Sequence, residues 1–144
     1  MRNTDKNTVC IIMIFTILIS LAACGSKTNF DSLWENALYK EDTELGLGEK
    51  SIFVKVTAGE KSITFHILTD KETLGEAMLS HKLISGEQGD YGLYVKSVNG
   101  IIADYDVNKC YWTFEKNGGY VSTGVDGTKI SDGDSYEFIF VGGN

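Results

Sequence analysis

The chain contains no proline, so no slow prolyl isomerisation is expected to limit its folding. Cysteine is nearly as scarce, with only Cys10, Cys24 and Cys110. The first lies inside a leading apolar segment and the second closes it, which leaves Cys110 alone and excludes an intramolecular disulfide in the mature chain. Stability must then come from packing, with Cys110 a small apolar filler beside Tyr111 and Trp112. Histidine occurs only at His66 and His81. No zinc-ligand cluster, Ser-His-Asp spacing, nucleophile elbow or phosphate loop is present, and the sequence predicts a protein that is not an enzyme. Basic residues number 13 against 20 acidic, a formal charge of −7, which argues against nucleic acid and against adhesion to anionic lipid through a basic patch. Long hydrophobic runs are missing too. The one candidate, Val9 to Leu21, is short of the roughly 20 apolar residues that cross a bilayer.

That run has a different meaning. Arg2 and Lys6 precede it, and Leu21-Ala22-Ala23-Cys24 follows, which is the layout of a bacterial lipoprotein signal with cleavage between Ala23 and Cys24. Cys24 would take a diacylglyceryl group and become the acylated N-terminus, anchoring the protein to the membrane without spanning it. The expected location is the extracytoplasmic face of the cell membrane. After cleavage the chain keeps 11 basic and 19 acidic residues, a formal charge of −8.

The expected organisation is therefore a signal peptide over 1–23, a lipidated N-terminus, tether and short helix over 24–50, and a folded domain over 51–144. Leu33, Trp34, Ala37 and Leu38 are at helical spacing, and Glu41 to Lys50 reads as a charged linker. From Ser51 the period becomes two. Ile52, Val54 and Val56 form one face of a strand, Ile63, Phe65 and Ile67 that of a second, and a turn at Gly59 makes them a hairpin. Thr73-Leu-Gly-Glu76 is a capping-box pattern that opens a helix to Lys82, with Leu74, Ala77 and Met78 on one face. Gly86 to Gly89 reads as a loop. Further strands are predicted over 91–99, 111–115, 120–125 and 136–141, with turns at Asn99-Gly100, Asn117-Gly118 and Asp132-Gly133. The order β-β-α-β-β-β-β is an α+β domain with one helix across a mixed sheet.

Two constellations invite a functional reading. Asp104-x-Asp106-x-Asn108 with Glu115 at the twelfth position has EF-hand ligand spacing, but Lys109 replaces the glycine that the sharp turn needs, and a strand follows instead of a helix. A solvated acidic loop is the better reading, and no metal is expected. The second is aromatic: Tyr91, Tyr94, Tyr111, Trp112, Tyr120 and Tyr136 are dense for a small domain, and Tyr and Trp join large area to a polar handle. Alternation sends about half of them inward; Trp112 and Phe114 suit a core, whereas Tyr111, Asn117 and Tyr120 suit an exposed surface.

Taken in order, Thr73-Leu-Gly-Glu-Ala-Met78, Tyr91-Gly-Leu-Tyr-Val-Lys-Ser-Val-Asn-Gly100, Tyr111-Trp112 with Asn117-Gly118, Thr123-Gly-Val125, and Ser131-Asp-Gly-Asp134 before Tyr136-Glu-Phe138 resemble the DUF4430 family, which is similar to the C-terminal domain of transcobalamin and intrinsic factor. The resemblance runs from Ile52 to about Val141. It implies a β-grasp-like mixed sheet with one packed helix. In the vertebrate carriers this domain closes over one side of a corrinoid while a helical barrel supplies the other, and no such barrel is read here. The implied function is a membrane-anchored extracytoplasmic binding module for a corrinoid such as cobalamin, or a similar small ligand shared with a partner, with Tyr111, Trp112, Asn117 and Tyr120 as candidate contacts and no resident cofactor. The alternative is a non-catalytic surface domain for protein interaction or structure, with no small-molecule site.

Overall fold

The computed structural model describes residues 30–142. The signal segment and the lipidation and cleavage residues Ala23 and Cys24 lie outside the described residues. Two short helical turns, α1 (Phe30–Leu33) and a 3-10 turn (Trp34–Asn36), lead into β1 (Thr43–Gly46), β2 (Lys50–Ala58), β3 (Lys61–Thr69) and helix α2 (Leu74–Ser80). The remainder comprises β4 (Ile84–Gly89), β5 (Gly92–Val98), β6 (Ile101–Ile102), a helical turn α3 (Tyr105–Asn108), β7 (Tyr111–Lys116), β8 (Gly119–Tyr120) and β9 (Ser135–Val141). None of the helices among the described residues is long and apolar enough to cross a membrane.

The strands form a six-stranded sheet in the order β1-β3-β2-β9-β7-β8 and a three-stranded sheet β4-β5-β6. In the larger sheet β2 and β9 run parallel at the centre, flanked by the antiparallel neighbours β3 and β7. A hairpin followed by a helix, with the last strand returning beside the first, is the β-grasp arrangement expected from the sequence. Alternation on β2, β3 and β9 buries Ile52, Val54, Val56, Phe65, Ile67, Tyr136 and Phe138 on one face, and α2 covers them with Leu74, Ala77 and Met78. Each such side chain contributes about 1.5–3 kcal/mol on leaving water. The capping box starts α2 as predicted: Glu76 N–H donates to Thr73 Oγ1 at 3.3 Å, and Thr73 N–H donates to the Glu76 carboxylate at 3.1 Å. The Thr73 and Glu72 backbone N–H groups hold that carboxyl below its ordinary range.

Several segments depart from the sequence reading. The expected linker Glu41 to Lys50 contains β1, which pairs in parallel with β3; its T-E-L-G sequence has one apolar residue and no alternation to announce an edge strand. Ahead of it Trp34 is buried and its Nε1 donates to the Ala58 carbonyl at 3.1 Å. Asn99 grips the next stretch from both sides, its amide donating to Tyr39 O at 2.8 Å and its Oδ1 accepting from Tyr39 N at 2.9 Å. The fold thus draws in residues well before Ser51. The loop expected over Gly86 to Gly89 is part of β4, which exposes every residue after Ile84 and so shows no hydrophobic period. Its register shifts between Ser85 and Gly86, where a side chain on Gly86 would run into the Tyr94 carbonyl. The strand expected over 120–125 ends at Tyr120. Beyond it Thr128 Oγ1 donates to Gly124 O at 2.9 Å and Gly127 N–H donates to the same carbonyl at 3.1 Å, closing the segment into turns.

Candidate functional site

Because β5 belongs to the small sheet and β7 to the large one, no backbone ladder joins them, and side chains alone fill the space between. Packing is incomplete there. A cleft of about 140 Å³ remains, lined by Leu93, Tyr94, Val95, Trp112, Phe114, Gly124, Val125 and Phe138. Trp112 and Phe114 form its wall and are only half-buried. The Trp112 indole is aimed by its N–H, which donates to Ile101 O at 3.1 Å, and by an edge contact with Phe140, centroids 5.4 Å apart at 83°. Phe114 lies over Phe138 at 5.3 Å and 23°. Tyr91, 99% exposed, and Tyr94 are the exposed aromatics of the adjoining strand β5 and its preceding turn. The 124–126 segment is tied to α2 through Gly75 N–H to Val125 O at 3.0 Å and to β5 through Leu93 N–H to the Asp126 carboxylate at 2.9 Å.

The arrangement is an apolar, aromatic slot with aligned rings. Its volume is below the roughly 300–1,000 Å³ of sites that enclose a drug-sized ligand, so it accepts a ring or a branched apolar group of a larger molecule. A groove of about 400 Å³ beside Gly46, Thr69, Asp70 and His81 is larger, yet presents no Tyr, Trp or Phe.

The four residues singled out in the sequence do not converge. Tyr111 pairs with Val141 on the face of the large sheet that α2 leaves uncovered, and Tyr120, 86% exposed, pairs with Glu115 on that same face. Trp112 points the other way, into the cleft. Asn117 occupies a left-handed turn position at φ 51° and spends its side chain on structure: its amide donates to Asp134 at 3.1 Å and its Oδ1 accepts from Ser135 N at 2.8 Å. Leu93, Val95 and Val125 line the slot without having been singled out. Their one signal in sequence was the shared strand parity of Leu93 and Val95.

Asn117 belongs to a network centred on buried Asp134, which also accepts from Lys116 Nζ at 2.7 Å, Ser131 N at 2.7 Å and the Tyr136 hydroxyl at 3.0 Å. Burial alone would raise the Asp134 carboxyl, but these donors outweigh it and hold it down at about 2. The Tyr136 phenol is pushed up, by burial first and then by its bond to Asp134. The network braces the hairpin and the 131–134 turn.

No three His, Cys, Asp or Glu side chains among the described residues are placed to hold a metal ion. The Asp104-x-Asp106-x-Asn108 pattern folds as the α3 turn: Asp104 accepts from Asp106 N and Lys96, and Asn108 Oδ1 accepts from Asp104 N and Cys110 N. Lys96 holds the Asp104 carboxyl below its usual range.

The profile of a domain of unknown function, DUF4430, matches residues 71–141. A candidate metal-binding protein from Ruminococcus gnavus, known from its crystal structure, is 38% identical, with a TM-score of 0.62 over 67% of this chain and 100% of its own. The chain belongs to the DUF4430 family. A second solved structure, haptocorrin in complex with Cbi, superposes on the DUF4430 fold with a TM-score of 0.55 at 15% identity, covering 68% of this chain and 26% of haptocorrin. At that identity the likeness is one of fold. No curated protein matches the chain.

Proposed function

We propose that this DUF4430 protein is a lipid-anchored, extracytoplasmic binding module whose cleft takes an apolar edge of a small ligand without acting on it chemically, with a corrinoid as the leading candidate. The observation that carries the reading is the half-buried Trp112–Phe114 wall, held open between two sheets that share no strand. A fold shared with a protein solved in complex with Cbi supports the ligand class. The slot covers only part of a corrinoid, so solo affinity is modest and a partner completes the site. The anchor at Cys24 compensates. Only five residues separate it from α1, and at about 3.3–3.6 Å per residue the domain stays within roughly 20 Å of its lipid, which raises its effective concentration toward a membrane-bound partner.

Titration with cobinamide and with cobalamin, read by Trp fluorescence, absorbance and calorimetry, tests the reading. Binding should quench the Trp112 contribution while leaving buried Trp34 unaffected, and Trp112→Phe should remove most of the quench. No heat and no spectral change at high micromolar ligand would refute it. The uncovered sheet face favours a second reading: Tyr111 and Tyr120 share it beside half-buried Ile139 and Val141, which suits a protein partner. Recovery of a specific membrane-extract partner that Tyr111→Ala and Tyr120→Ala abolish, with no corrinoid response, would select that alternative.

A further inference from the structure

On the uncovered face of the large sheet, three strands bring together Glu44 of β1, His66 of β3 and Ser51 of β2. Ser51 Oγ lies 2.8 Å from His66 Nε2, and His66 Nδ1 lies 2.9 Å from Glu44 Oε2. A carboxylate can only accept, so Nδ1 carries the proton it donates to Glu44; in the neutral imidazole Nε2 is then the acceptor and Ser51 donates to it. The Phe53 ring stacks flat on the imidazole, centroids 4.8 Å apart at 10°. The Ser51 backbone is clamped from the other side, its N–H donating to Asp132 Oδ1 at 2.7 Å and its carbonyl accepting from Gly133 N at 2.7 Å. Alongside runs a groove of about 280 Å³ lined by Asp42, Thr43, Glu44, Phe53, Thr64 and His66.

The geometry points to Ser51 as an activated nucleophile toward esters of good leaving groups, with His66 as general base and Glu44 as the residue that positions it. In the reaction Ser51 Oγ forms a bond to the ester carbonyl carbon as its proton passes to His66 Nε2. The carbon–oxygen bond to the leaving alkoxide then breaks, the alkoxide takes the proton from His66, and Ser51 is left as an acyl ester. Water repeats the sequence, releasing the carboxylic acid and restoring Ser51. Because the Ser51 N–H is spent on Asp132, it is not a donor for the developing oxyanion. Loss of one such donor costs about 10²–10³ in rate, which favours activated esters, whose good leaving groups need the least help, over amides, and makes slow acylation the main event. This site lies on the opposite face of the sheet from the aromatic cleft and stands or falls independently of it.

The test uses the full chain with p-nitrophenyl acetate, following p-nitrophenolate release and mapping the acetyl group by peptide mass spectrometry. The expected result is a burst of about one equivalent per chain, with acetyl on Ser51. Ser51→Ala should abolish it, and His66→Gln should slow it about 100-fold or more. Glu44→Gln should slow it with no change in melting temperature, which a merely structural carboxylate would not do. Acetyl found only on lysine, tyrosine or the N-terminus of the unaltered protein, or a Ser51→Ala variant that reacts at the parental rate, overturns the proposal.

Discussion

Replacing Asp134 with Asn gives the sharpest quantitative test of the network that braces the Asn117 hairpin. The carboxyl is held at about 2 against an ordinary value of 3.8, a depression of nearly two pH units at about 1.36 kcal/mol each, or about 2–3 kcal/mol. Asp134 is 8% exposed, so solvent does not screen this away. The sign follows from the direction of the shift. Unfolded chain binds the proton near pH 3.8 and folded chain only near 2, so the stabilisation is fully present above about pH 5 and is lost as pH falls from there through about 2. Urea unfolding followed by Trp fluorescence at several pH values between about 6 and 2 would measure it. At pH 6 Asp134→Asn should lower stability by about 2–3 kcal/mol, and for a domain near 100 residues lower Tm by about 10 °C or more. The variant should also show a flatter loss of stability toward acid. If parent and variant lose stability in parallel across the acid range, Asp134 is not the linked group and the reasoning fails.

Three further perturbations probe other links. Gly86→Ala should disrupt the β4–β5 bulge, since its Cβ meets the Tyr94 carbonyl; hydrogen exchange should show faster amides in β4 and β5 while β2 and β3 keep their protection. Trp34→Ala removes a buried ring and its bond to Ala58 O, and chemical denaturation should report a loss of about 3 kcal/mol, where a true linker residue would cost almost nothing. Thr73→Ala, which removes the α2 N-cap, should cost about 1 kcal/mol by the same assay.

Legibility in the sequence followed the range of the interaction that decides each element. The β2–β3 hairpin and the start of α2 were readable because the alternation of Ile52, Val54 and Val56, and the Thr73–Glu76 box, are complete within a few residues. β1 and β4 were not, because an edge strand is held by the backbone of its neighbour and needs no apolar face of its own. The cleft was half legible. Trp112 stood out by type, but the opposing Leu93 and Val95 become its neighbours only once β5 lies over β7.

By itself, the sequence determined what is local or compositional: the acidic balance, the scarcity of cysteine and proline, the strand and helix periods, and the order of motifs that places the chain among DUF4430 domains. The tertiary structure alone decided that a cleft opens beside Trp112, that Asn117 is spent on Asp134, and that Ser51, His66 and Glu44 meet. Ser51 and His66 are 15 residues apart along the chain and become neighbours because Phe53 pairs with His66 and Glu44 pairs with it from the other side. Register is set by hydrophobic burial on the opposite face of the same strands. The polar residues that could do chemistry are therefore aligned by the apolar ones that cannot.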